Sequence, residues 1–125
     1  FKSLHINCGG GRETSSEGII YDDDSDPSGP STSKKWGENW AISNTGHFLN
    51  SNASVTYIQQ NTTRLSMPDN PLYKTARVSP ISLTYYGFCL ENGDYTVTLH
   101  FAEIVFTDDD TYKSLGRRIF DIYIQ

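Results

Sequence analysis

Basic residues are few and never massed. Lys34-Lys35 and Arg117-Arg118 are the only adjacent pairs, against a formal net charge of -5. A phosphate-backbone partner needs a positive footprint, so nucleic acid is excluded as a ligand. No apolar run approaches the roughly 20 residues of a membrane span, and no basic-then-apolar leader opens the chain. Three-turn amphipathic helices, internal repeats and domain linkers are also missing. At 125 residues the chain is one domain, large enough to bury about two thirds of its unfolded surface.

The usual reactive signatures are missing too. Gly9-Gly10-Gly11 lacks the GxxxxGK[ST] or GxGxxG spacing and the following helix that a phosphate cradle requires, so it reads as a sharp turn. Asp22, Asp24 and Asp26 mimic the opening of a calcium loop. However, Pro27 stands where the turn wants Gly, and Ser33 where the bidentate Glu belongs, which leaves a solvated acidic loop. His5, His47 and His100 share no metal-ligand spacing, and no G-x-S-x-G elbow marks a nucleophile. Glu103 and Asp121 read as structural acids in strands, with Arg77 and Arg117-Arg118 as their ion-pair partners. No metal, cofactor or catalytic group is expected.

What the chain does have is alternation. Tyr95, Val97, Leu99 and Phe101 point one way and Thr96, Thr98 and His100 the other, the two-residue period of a half-buried strand. Asn92-Gly93 lies between this run and an earlier one at Ile81–Leu90, and suits a tight hairpin. The apolar register shifts at Ala102-Glu103, which predicts a bulge. Ile119 to Gln125 reads as a further strand, and its abrupt end predicts a sheet whose last strands lie beyond this sequence. Shorter strands are expected at His5–Cys8, Ile19–Tyr21, Ala41–Ser43 and Ser54–Ile58, with a surface loop over Asp22–Lys35 and an extended run at Leu72–Arg77. Short strands between turn clusters make an all-β sandwich or jelly roll.

Aromatics make up 13% of the chain, with eight Tyr. Trp36, Trp40, Tyr57, Tyr73, Tyr85, Tyr86 and Tyr112 exceed what one small core needs. Aromatic faces stack on the C–H faces of sugars, and Tyr equally serves protein interfaces. Asn52-Ala53-Ser54 and Asn61-Thr62-Thr63 fit the N-glycosylation pattern. Cys8 and Cys89 have two readings. As a disulfide they close a loop of roughly eighty residues, worth about 4 kcal/mol in the chain-entropy model; as reduced thiols they say nothing. With the two sequons, the balance favours an extracellular protein with Cys8 bridged to Cys89.

Several strings carry a resemblance: His5-Ile6-Asn7-Cys8-Gly9-Gly10, Asn39-Trp40-Ala41, Leu72-Tyr73-Lys74-Thr75-Ala76-Arg77, Leu99-His100-Phe101-Ala102-Glu103-Ile104 and Gly116-Arg117-Arg118-Ile119-Phe120-Asp121. Together the chain resembles the malectin domain of plant leucine-rich-repeat receptor-like kinases. The resemblance implies a malectin-like jelly-roll β-sandwich over residues 1–125, incomplete at its C-terminus. The animal member of that family binds a glucose disaccharide through loop aromatics and an acid. The plant domain sits in a receptor ectodomain, outside the plasma membrane, tethered only by the parent's transmembrane helix and with the kinase beyond it. By that resemblance Tyr21 is the first ligand candidate, followed by Tyr73, Tyr85 and Tyr86. Leu83 stands where an aromatic is expected. The implied function is non-catalytic recognition of an oligosaccharide or cell-wall glycan. The alternative is a protein-interaction module that holds a co-receptor or peptide.

Overall fold

The structure is a computed structural model that describes residues 1–36, 38–48, 57–60, 70–102 and 119–125. The described residues are all-β apart from one short 3-10 turn, and their strands form three small sheets.

The first sheet joins β1 (Ile6–Asn7), β2 (Glu13–Thr14) and β3 (Ile20–Asp23), with β3 in the centre. β1 runs parallel to β3, with Ile6 opposite Asp22 and Asn7 opposite Asp23; β2 is antiparallel to it. The β2–β3 hairpin turns on Gly18 at φ 81°, where Gly18 N donates to Ser15 O at 3.0 Å. Past β1 the chain reverses at once. Gly10 N donates to Asn7 O at 2.9 Å, and Gly9 takes φ 77°. The triple glycine is therefore the sharp turn its composition predicts, and a Cβ on Gly9 would fall 2.7 Å from the Ala76 carbonyl carbon.

The second sheet is antiparallel, in the order β4 (Ser33–Trp36), β5 (Trp40–Thr45) and β8 (Ser82–Gly87). β5 is flanked on both edges, and Trp40, Ala41, Ile42 and Asn44 along it are all buried. Trp40, only 1% exposed, is the largest buried apolar side chain described. A two-stranded third sheet pairs β6 (Ile58–Gln60) with β7 (Thr75–Arg77). Before β7, Pro71–Tyr73 forms a 3-10 turn. Asn70 caps it by accepting Leu72 N at 3.0 Å, and Pro71 occupies a position that needs no N–H donor.

Three expectations change. The loop after β3 is shorter than Asp22–Lys35, because Asp22 and Asp23 stay in β3 while Ser33–Trp36 pairs with β5. The run Leu72–Arg77 divides into a turn and a strand, since Pro71 and the Asn70 cap favour a turn first. Neither 94–102 nor 119–125 is a strand. Alternation supplies an apolar face, but a strand also needs a partner for its N–H and C=O groups. Neither segment has that ladder among the described residues. Tyr95, Val97, Leu99 and Phe101 consequently stay exposed, as do Ile119, Phe120, Ile122 and Ile124. A single ring contact, Phe101 to Phe120 at 5.4 Å between centroids, links the two segments. The bulge expected at Ala102-Glu103 lies partly outside the described residues.

Candidate ligand-binding site

The site stands on a buried acid. Asp24 follows β3 directly, and its N–H donates to Gly10 O at 2.8 Å. Its Oδ2 accepts Gly9 N at 3.0 Å, Arg77 Nε at 2.8 Å and the Tyr85 hydroxyl at 2.6 Å. Arg77 Nη2 donates to Asp24 Oδ1 at 3.0 Å, to the Asp24 carbonyl, and to Asp26 O at 2.8 Å. Neither side chain of the pair meets solvent. One carboxylate thus ties the glycine turn to β7 and β8. The sequence read Arg77 as a structural ion-pair residue but set Glu103 or Asp121 against it. Its partner is Asp24, one of the three acids assigned to a solvated loop.

Charges in this network reinforce one another. Burial opposes the Arg77 charge, but the hydrogen bond and negative charge of Asp24 outweigh it, and the guanidinium pKa is raised. Burial first, then the neighbouring Cys8 and Asp24, pushes the Tyr85 phenol far above its ordinary value. Tyr85 therefore remains a hydrogen-bond donor to Asp24. Its ring lies 6.0 Å from that of Trp40, whose Nε1 donates to Asp22 Oδ2 at 3.1 Å.

An aromatic group gathers on this frame. Tyr21 lies on β3, His5 immediately before β1, Tyr73 at the end of the 3-10 turn, and His100 in the segment after β8. His5 meets Tyr21 edge-on at 5.4 Å between ring centroids. Asp22 N donates to His5 O at 2.9 Å, carrying the β1–β3 pairing back to His5. His100 is 6.5 Å from Tyr21 at 81° between planes and 5.7 Å from Tyr73 at 65°. The Tyr73 hydroxyl and His100 Nδ1 are hydrogen-bonded at 3.0 Å. Tyr21, Tyr73 and His5 are half-buried and His100 is exposed. Faces and edges of these rings offer stacking surface beside polar tips, the pairing that suits an amphipathic ring such as a sugar.

The four candidate tyrosines therefore separate. Tyr21 and Tyr73 come together around His100. Tyr85 commits its hydroxyl to Asp24, and Tyr86 lies exposed opposite Ala41 on β5. His5 and His100 were not singled out as site residues. Only the polar side of the 95–101 alternation pointed to His100, and nothing in the spacing joins it to Tyr73. Asn52 and Asn61 lie outside the described residues.

The expected disulfide is not formed: Cys8 and Cys89 are free thiols. Each has its own surroundings. Cys8 is exposed as a residue, with its Sγ donating to Ile6 O at 3.9 Å, while local enclosure of the thiol raises its pKa. Cys89 sits at φ 56° on the exit from β8, its carbonyl accepting the Phe1 amine at 3.0 Å. Among the described residues no group of three or more His, Cys, Asp and Glu is placed to hold a metal. None of their helices is long and apolar enough to cross a membrane.

A family model described as "Malectin domain" matches residues 2–125. Three Arabidopsis thaliana proteins are similar over nearly the whole chain, each named a probable LRR receptor-like serine/threonine-protein kinase. One is 55% identical over 98% of this chain, a second 48% over all of it, and a third 46% over 98%. The chain spans only 12–13% of the length of these relatives. No solved structure matches.

Proposed function

The chain belongs to the malectin domain family, and from that membership we propose a non-catalytic recognition module in the ectodomain of a receptor-like kinase. The ligand is an oligosaccharide of cell-wall or cell-surface type, held outside the plasma membrane. Any kinase activity belongs to the parent's cytoplasmic part, and the parent's transmembrane helix is the membrane contact.

The observation that carries this reading is the convergence of Tyr21 and Tyr73 on His100. Two half-buried phenols flank one imidazole, so ring faces lie beside polar atoms on a supported surface. Few groups there are deeply enclosed, and the affinity expected of such a shallow site is on the order of micromolar or weaker. A glycan-array screen, followed by calorimetry on each hit, tests it. Saturable binding lost in both Tyr21→Ala and Tyr73→Ala, with unfolding unchanged, supports the reading. A blank array, or hits indifferent to both changes, rejects it.

A second reading has its own observation. Val97, Leu99, Phe101, Phe120, Ile122 and Ile124 are all exposed, and apolar exposure on this scale marks protein contacts. A co-receptor or peptide partner is the alternative it supports. Pull-down from a glycan-free system that is sensitive to Leu99→Ser but not to Tyr21→Ala distinguishes it.

A further inference from the structure

We infer that His100 is a ligand-contacting residue of this site, held by Tyr73 as the tautomer whose outward nitrogen, Nε2, carries the proton. The inference rests on the glycan reading above and adds a polar contact to it. It narrows the ligand to saccharides that place an acceptor oxygen next to the C–H face stacked on Tyr21.

The argument begins with the 3.0 Å contact between the Tyr73 oxygen and His100 Nδ1. A phenol hydroxyl is a good donor and a weak acceptor, whereas an unprotonated imidazole nitrogen is a strong acceptor. The stable arrangement has Tyr73 O–H donating to Nδ1. In a neutral imidazole the other nitrogen then holds the proton, because the bond at one nitrogen sets the state of the other. Nε2 has no hydrogen-bond partner among the described residues, and His100 is exposed. The ring is also fixed in direction. It stands nearly perpendicular to Tyr21 and steeply inclined to Tyr73, so two edge contacts and one hydrogen bond restrain it. A side chain restrained in this way loses less freedom on binding, which favours its contribution to a weak complex.

Tyr73 thereby gains a role beyond stacking: it orients His100. Its own end is anchored, because the Pro71–Tyr73 turn is capped by Asn70 and runs straight into β7. His5 makes its ring contact with Tyr21, and no ring contact joins it to His100 among the described residues. Of the two histidines bordering Tyr21, only His100 is hydrogen-bonded to Tyr73.

Two measurements test this on the intact chain. Nitrogen-15 NMR of the imidazoles reads the tautomer without any ligand. The expected result is a protonated Nε2 and an unprotonated Nδ1 at His100, with the preference lost in Tyr73→Phe. A protonated Nδ1, or no change in Tyr73→Phe, overturns the assignment. Calorimetry with cellobiose and maltose, the β- and α-linked glucose disaccharides, reads the contact. Binding by wild type should weaken roughly ten-fold in His100→Ala, as loss of about one hydrogen bond implies. His100→Gln, which keeps an outward donor, should restore part of it. Equal affinity in wild type and His100→Ala overturns the contact while leaving the tyrosine site standing. Failure of wild type to bind either sugar rejects this ligand class, and with it the contact, while the NMR result still decides how Tyr73 and His100 are paired.

Discussion

Asp24 concentrates more of the structure than any other described side chain. It is fully buried, and its charge is met by Arg77 Nε and Nη2, by Gly9 N and by Tyr85. Removing one partner of a buried pair leaves the other charge stranded, at a cost of about 3–5 kcal/mol. Asp24→Asn should therefore lower the free energy of unfolding by roughly that amount, measured by urea titration; a change within error refutes the brace. Tyr85→Phe deletes the hydroxyl bond to Asp24 and should cost about 1–2 kcal/mol. Exposed Asp23 and half-buried Asp26 give the pH dependence. The Asp23 carboxyl is held low by the Ser25 hydroxyl and backbone N–H, and that of Asp26 by Lys34 and the Ser28 N–H. A depressed carboxylate stabilises the fold above its unfolded pKa and loses that contribution as pH falls through its folded value. Unfolding should thus become easier on the acid side of about pH 4. A double Asp23→Ala, Asp26→Ala variant should show a shallower decline there, and an identical profile would contradict it. Cysteine chemistry gives a further residue-level expectation. Alkylation without reductant should label both thiols, Cys8 the more slowly because its thiolate is disfavoured. A native protein that takes up no label would restore the bridge.

At the scale of elements, the turn after β1 is the most constrained. Gly9 combines φ 77° with backbone atoms of Ala76 and Arg77 within 2.9 Å of where a Cβ would stand. Gly9→Ala should destabilise by more than about 1 kcal/mol, since neither the dihedral nor the backbone can give way. Gly11→Ala meets nothing within 4 Å and should be close to neutral; comparing their melting temperatures checks both. Much at this level was legible in the sequence. Strands around Ile6, Ile20, Ala41 and Tyr85 follow from short apolar runs between turn residues, and the glycine turn from composition alone. The clearest alternation, Tyr95 to Phe101, forms no strand in the structure. Periodicity reports which side chains share a face, whereas a strand depends on a partner elsewhere in the chain. Asn70 and Pro71 were likewise a readable turn signal just ahead of a run that looked extended.

Across the molecule, what escaped the sequence is what spans it. Tyr21 and Tyr73 were identifiable as aromatics in family-like strings, but their meeting at His100 joins β3, the 3-10 turn and the chain beyond β8. No local pattern encodes that junction. The same holds for Asp24, whose neighbours suggested a solvated loop until Arg77 supplied a reason to bury it. The tyrosine cluster is thus a product of tertiary geometry, and the recognition role proposed for it rests on that junction.

That frame has a consequence for how the protein is made. Asp24 and Arg77 are separated by 53 residues, and a ribosome adds about 5–20 residues each second. For about 3–10 s after Asp24 is synthesised its counter-ion does not exist. Through that interval the acid stays in water, and the glycine turn has no carboxylate to close on. The buried brace beside the N-terminal sheet cannot close until Arg77 and Tyr85 have been made, so the order of synthesis puts that step last for these strands.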